Sequence, residues 1–278
     1  MQFTTDRSLR SLWAALALAA SPWSVSAQTP ALWEVGGFAG SLTTPAYPAS
    51  AERLSRTLVL PYFIYRGEHL NVDRDGIDAR LQVAPGYELD WGVSGSFPAR
   101  SNDVLARQGM PDLGTLLELG PRLKVKLPSP GTGLRMGLDL PLREVLEVNG
   151  GTRSQGVVFE PTLVLDAANV GDGWSLTAKA GLTWGDQAMN QYFYGVAPLY
   201  ATAQRPSFDA QSGLMSARAS LSTSKSLGPD LRVFGYARMD YYGLGTNTAS
   251  PLFLQNSSPT WGLGLTWTLG RSEARAGE

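Results

Sequence analysis

The chain has 278 residues, a formal net charge of −1, 17% charged residues, a mean hydropathy of −0.10 and no cysteine. The missing cysteine excludes disulfides, thiolate metal sites and an acyl anchor, and the balanced charge gives no electrostatic reason to bind nucleic acid. Beyond residue 27 no apolar run approaches the roughly 20 residues of a membrane-spanning helix, so a helical membrane protein is excluded too.

At the N-terminus Arg7 and Arg10 precede the apolar run 12–20, and the small residues Val25-Ser26-Ala27 follow it. That order reads as a secretory signal peptide over 1–27, cleaved between Ala27 and Gln28. Loss of Arg7, Arg10 and Asp6 with the leader shifts the formal charge from −1 to −2. The remainder, 28–278, shows no internal repeat and no second domain.

The secondary-structure signal is period two. In 56–66, Leu58, Leu60 and Ile64 share a face with Tyr62 and Arg66, so the two faces are not separable there. The stretch 69–83 folds back on itself if Arg74-Asp75-Gly76 is a turn, since Asp-Gly favours hairpins; otherwise it is one bulged strand. Tyr87, Leu89, Trp91, Val93 and Phe97 oppose Glu88, Asp90, Ser94 and Ser96. Leu117, Leu119, Leu123, Val125 and Leu127 oppose Glu118, Arg122, Lys124 and Lys126, and Leu134, Met136, Leu138, Leu140 and Leu142 oppose Arg135, Asp139 and Arg143. The same alternation sets Trp174, Leu176, Ala178, Ala180, Leu182 and Trp184 against Ser175, Thr177, Lys179 and Thr183. It continues through 213–226, then with Leu231, Val233, Ala237, Met239 and Tyr241 against Arg232, Phe234, Tyr236, Arg238 and Asp240. It ends with Trp261, Leu263, Leu265, Trp267 and Leu269 against glycine and threonine.

Several of these segments exceed the five or six residues usual in a globular strand and suit the roughly 9–11 needed to cross a membrane. A backbone edge in hydrocarbon would leave polar groups unpaired, so such strands must close on themselves, with the apolar face toward lipid and the polar face inward. The reading is an all-β protein, a transmembrane antiparallel up-and-down β-barrel of about 12 strands, in the outer membrane among its lipid and lipopolysaccharide. Long connections are expected at 41–55, 98–112, 144–154, 186–212 and 243–258, and short ones at 67–68, 85–86, 128–132, 168–173 and 227–230. Their alternation places both termini, with a tail at 271–278, in the periplasm.

Glu88, Asp90, Glu118, Arg122, Lys124, Lys126, Arg135, Asp139, Glu160, Asp166, Lys179, Arg218, Arg232, Arg238 and Asp240 are candidates for the lumen. They would line a channel or, paired across the interior, plug the barrel; with both signs interleaved, no ion preference follows. Trp91, Trp174, Trp184, Trp261 and Trp267 read as interfacial anchors. Prolines 61, 121, 141 and 161 interrupt strand patterns, where bulges are expected. The only histidine, His69, falls beside the periplasmic turn 67–68, a poor place for outer-leaflet catalysis. No enzyme, metal or cofactor is expected.

The segment Leu58-Val59-Leu60-Pro61-Tyr62-Phe63-Ile64-Tyr65-Arg66 resembles the Leu-Pro-Tyr-Phe-x-Tyr-Arg signature of the MipA/OmpV family of outer-membrane proteins, and Gln191-Tyr192-Phe193-Tyr194-Gly195-Val196-Ala197-Pro198 is similar to that family's long loop. Tyr194 is an insertion relative to the usual Tyr-Phe-Gly-Val, and the chain runs on past Leu269 instead of stopping at a terminal aromatic. The resemblance implies a non-enzymatic scaffold joining a lytic transglycosylase to peptidoglycan synthases; the runner-up is a small-solute channel, and the third reading a surface adhesin using the long outer loops.

Overall fold

The structure is a computed structural model describing residues 30–67, 70–72, 77–149 and 151–276. The leader with its cleavage site at Ala27 and Gln28, and His69, lie outside the described residues.

Thirteen strands follow in order: β1 (Trp33–Pro45), β2 (Arg53–Arg66), β3 (Leu70–Val72), β4 (Ile77–Ala84), β5 (Tyr87–Ser96), β6 (Thr115–Leu127), β7 (Leu134–Val148), β8 (Thr152–Phe159), β9 (Thr162–Val170), β10 (Trp174–Gly185), β11 (Gly213–Ser226), β12 (Leu231–Tyr241) and β13 (Ser257–Arg271). One α-helix, α1 (Gln187–Tyr194), lies between β10 and β11. The pairing is antiparallel throughout, and β13 returns to pair with β1, so the sheet closes into a ring. β8 and β9 share one place in it, each pairing with β7 on one side and β10 on the other. The ring therefore has twelve places. The stretch 69–83 contributes two of them, with Val72 opposite Ile77 across the hairpin.

Exposure decides which face is which. Along β13, Trp261, Leu263, Leu265, Trp267 and Leu269 are 41–75% exposed, whereas Ser258, Thr260 and Thr266 on the other face are buried. A soluble sandwich would bury the greasy face; a membrane barrel turns it outward. Elsewhere Val59 and Trp91 are exposed while Asp90, Arg122 and Asp240 are buried. In β2 the face shared by Leu58, Leu60, Tyr62 and Ile64 is the inner one: Ile64 is buried and Tyr62 Oη lies 2.6 Å from Thr268 Oγ1.

Three sequence expectations change. The connection expected at 144–154 shrinks to the few residues between Val148 and Thr152, because β7 continues to Val148 and pairs it with Thr152. Glu144 interrupts the apolar stripe there, exposed on the outward face near the end of the strand. Likewise β1 runs to Pro45, which shortens the connection at 41–55 to 46–52. No register shift occurs at Pro61, Pro121 or Pro141, paired opposite Gly37, Trp91 and Arg122. A proline loses its donor but keeps its carbonyl, and Pro141 and Pro161 still accept from Glu160 N (3.2 Å) and Leu182 N (3.1 Å). Only at Glu160-Pro161 does a strand part, into β8 and β9. The described part of the tail beyond β13 is tied to the N-terminal segment: Ala31 bridges Arg275, Leu32 N donates to Ala274 O, and Ser272 N donates to Trp33 O.

Candidate functional site

Inward-facing charges form two neutral groups. In the first, Asp90 is fully buried and accepts Arg122 through both oxygens (3.1 and 2.9 Å), with Lys124 Nζ at 2.7 Å and Glu88 3.3 Å from the same amine. The second is a belt running from β6 to β12. Arg143 meets Glu118 (3.3 Å) and Glu160 (3.1 Å); Arg218 meets Glu160 (3.1 Å) and Asp240 (2.7 Å); Arg238 meets Asp240 (2.7 Å). Thr183 fills the gap that β10 would leave by donating to Glu160 (3.2 Å). Asp139 and Lys179 line a cavity of about 330 Å³ beside this belt. Asp166 is half-buried, and Lys126, Arg135 and Arg232 are exposed. Trp91, Trp174, Trp261 and Trp267 stand exposed on the outer face; Trp184 is half-buried, stacked on Phe159.

At one end of the ring the connections among the described residues are the short turns 85–86, 128–133, 171–173 and 227–230. The other carries a folded lid made from 46–52, 97–114, 186–212 and 242–256. Its centre is α1, capped by Asp186, whose carboxylate accepts from Met189 N (2.8 Å). Gly156 admits this cap: at φ +114 it already favours glycine, and a Cβ there would stand 2.2 Å from the Asp186 carboxylate. Met189 and Tyr194 of the helix pack in one core with Leu116 of β6, Val145 of β7, Val158 of β8 and Met215 of β11. These strands hold neighbouring places in the wall, and the helix they seat reaches over a chamber lined also by Leu42 of β1, Ser96 of β5 and Thr260 of β13, which places it across the bore. A second core joins Tyr47, Val104, Leu113, Val196 and Leu252.

Polar contacts fasten these cores. Asn190 takes Asn247 Nδ2 at 2.9 Å, Ser250 Oγ donates to Tyr194 O (2.7 Å), and Arg205 donates to Ala106 O (2.9 Å). Arg107 is buried, donates to Phe193 O (3.3 Å) and lies over the Tyr47 ring at 5.7 Å. Burial pushes the Tyr47, Tyr192 and Tyr194 hydroxyls well above the ordinary phenol range, with Glu147 adding to the rise at Tyr192, so all three stay neutral donors. Tyr47 spends its proton on Leu252 O (2.8 Å).

Under the lid lies a chamber of about 440 Å³, roofed by Met189, Tyr192 and Phe193 and floored by the charged belt.

The sequence pattern of the family described as MltA-interacting protein MipA matches residues 36–269. The chain belongs to the MipA family. In this MipA-family barrel the signature on β2 has a structural role: Pro61 and Phe63 face outward and Tyr62 inward, while Arg66 pins the N-terminal segment through Ala31 O (2.8 Å) and Glu34 (2.8 Å). Leu60 faces inward and is 48% exposed, and Tyr65 is half-buried against Phe63. The loop motif builds the lid. Tyr192 Oη accepts from Gly114 N (2.8 Å) and reaches Glu147 (3.1 Å), Phe193 packs edge-on against Tyr192, and Val196 is buried and pairs with Phe208. Gly195 N closes α1 on Gln191 O (2.9 Å), and Pro198 opens a 3₁₀ turn. The inserted Tyr194 is almost wholly buried.

No curated protein matches the chain. Solved structures similar to it include a "Bacterial polysaccharide outer membrane secretin" (9% identity, 86% of this chain and 99% of that one, TM-score 0.43). Others are outer membrane phospholipase A from Escherichia coli (10%, 84% and 92%, 0.34) and the "CymD monoaromatic hydrocarbon channel" (10%, 88% and 90%, 0.38). Scores of this size bear no functional argument. Membership of the family and a ring of long strands with its greasy face outward make this an outer-membrane β-barrel.

The sequence pattern marked the inward charges strand by strand but not their partners. Arg107, Glu147, Asn190, Arg205 and Asn247 lie in or beside connections, where no local periodicity signals burial.

Proposed function

We propose that the protein is a non-enzymatic envelope scaffold, with its lid outside the cell and its short-turn end in the periplasm, joining a lytic transglycosylase to peptidoglycan synthases. The single observation that carries this reading is the helix seated across the bore by inward side chains of β6, β7, β8 and β11, which disfavours a permanently open channel. The family's description as MltA-interacting supports it further. The bore's acids and bases engage one another, which leaves them unsuited to proton transfer on a substrate. The periplasmic platform would be the paired termini 31–33 and 272–275 with the turn 227–230, tied on by Arg271 through Asp230 and Pro229 O.

Binding of a purified MltA-type transglycosylase to the barrel in nanodiscs tests it. Saturable binding is expected, abolished by replacing turn 128–133 and the platform residues, and kept when the lid is altered; absence of binding sinks the reading. A second reading, contact with foreign surfaces, is favoured by Leu105, Leu199 and Leu244, which stand 74%, 83% and 62% exposed on the lid.

A further inference from the structure

Among the described residues, β2 is joined to the wall on its β3 side by a short ladder only. β2 is paired with β1 along its whole length, from Trp33↔Tyr65 to Pro45↔Arg53. On its other side the ladder with β3 consists of Tyr65↔Val72 and Arg66↔Asn71 among the described residues. No described strand pairs with 53–60 on that side. The ladder of β4 with β5 ends at Ile77↔Val93.

This open edge lies at membrane depth. Through β1, Ser55 stands abreast of Trp261 and Pro61 abreast of Trp267, two outward tryptophans of the kind that mark the interfaces. Unpaired backbone at that depth is tolerated where it lines a cavity, not where it meets lipid tails. The cavity is the chamber under the lid, whose lining includes Arg56 of β2 and Ser96 and Phe97 at the end of β5. Those residues flank the opening.

The chamber's charge states what it would take. Arg143, Arg218 and Arg238 are each matched with Glu118, Glu160 or Asp240. Arg56 is the exception: it lies over the Phe97 ring at 5.2 Å, donates to Pro98 O, and pairs with no carboxylate among the described residues. One surplus cation thus sits at the opening, while methionine and aromatic side chains line the roof within. The volume, about 440 Å³, is within the roughly 300–1,000 Å³ of small-ligand sites and too small for a multi-chain lipid.

We propose that the chamber is a binding site for a single-tailed anionic amphiphile that enters sideways from the membrane between β2 and β5, its head on Arg56 and its tail under Met189, Tyr192 and Phe193.

The test uses the barrel in phosphatidylcholine nanodiscs, a fatty acid with a mid-chain diazirine as probe, irradiation, and peptide mapping by mass spectrometry. Adducts are expected on Met189, Tyr192, Phe193 or Met215. Labelling should fall at least tenfold in Arg56→Gln, persist in Arg56→Lys, and be blocked by Ser96→Trp at the opening. Each variant must first show the heat-modifiable gel mobility of a folded barrel; Arg56→Lys and Ser96→Trp keep the test decisive if Arg56→Gln misfolds. Competition with unlabelled fatty acid and with lysophosphatidylglycerol distinguishes a carboxylate from a phosphate source. Adducts confined to outward residues such as Val59 and Leu263, or equal interior labelling by the probe's methyl ester, would overturn the proposal.

Discussion

Asp240→Asn is the sharpest probe of the charged belt. The carboxylate is 1% exposed and holds Arg218 Nε and Arg238 Nε, each at 2.7 Å. Asparagine keeps the volume and removes the anion, leaving two guanidinium groups facing a neutral amide. Breaking a buried pair by losing one partner costs about 3–5 kcal/mol. Here the arginine side chains are 35% and 24% exposed, and Arg218 retains Glu160 at 3.1 Å. Solvent screening pulls the figure toward the exposed-pair range of about 0–1 kcal/mol, so the expected loss is roughly 2–3 kcal/mol. Urea unfolding in lipid vesicles, followed by gel mobility and tryptophan fluorescence, gives the midpoint and slope that yield this number. The double variant Asp240→Asn/Arg238→Gln restores neutrality and should recover about 1 kcal/mol or more. A single variant within about 0.5 kcal/mol of wild type, or a double variant no better than the single, would show that the charges are separately solvated and that the belt does not hold the wall.

Three further outcomes are expected. In planar bilayers the intact barrel should pass no steady current, and removal of 187–210 should produce one; steady conductance by the intact protein would mean that the lid does not seal. Single cysteines at Ser207 and Glu273, both exposed, should be labelled on intact cells at 207 only, and the opposite pattern would invert the orientation. Gly120→Ala should yield no heat-modifiable band, because a Cβ there would stand 2.1 Å from the Leu142 carbonyl oxygen; a normal band would show that β6 and β7 can separate at that point.

The wall was legible in the sequence because its physics is local. Whether Trp261 faces lipid and Thr260 the bore depends on alternation and hydropathy, which any ten-residue stretch of β13 displays. Ends of strands were harder. Glu144 interrupts the outward apolar stripe of β7, yet beyond the hydrocarbon an outward side chain meets water and need not be apolar; Glu147 faces inward, where its partner Tyr192 belongs to the distant lid. The lid was illegible for a different reason: Asn190 meets Asn247, and Arg205 meets Ala106 O, across 57 and 99 residues of chain. Asparagine and arginine in a connection look like solvated residues until the partner segment is known. Among the described residues the unpaired side of 53–60 in β2 is likewise a matter of register and not of composition.

The seam between β13 and β1 sets an order in time. Trp33 N and Ser272 Oγ, 3.1 Å apart, are separated by 239 residues, so the first strand must wait for the last. Bringing ends so distant together costs on the order of 5 kcal/mol of chain entropy, a sum recovered only when the whole ladder from Glu34↔Arg271 to Thr43↔Trp261 forms. Until then β1 has one neighbour, and its free side is a template for any other strand, including that of a second unfinished chain. A chain delayed before its last strand arrives would present two raw edges, β1 and β12. Its failure would take the form of aggregates, not of leaky barrels.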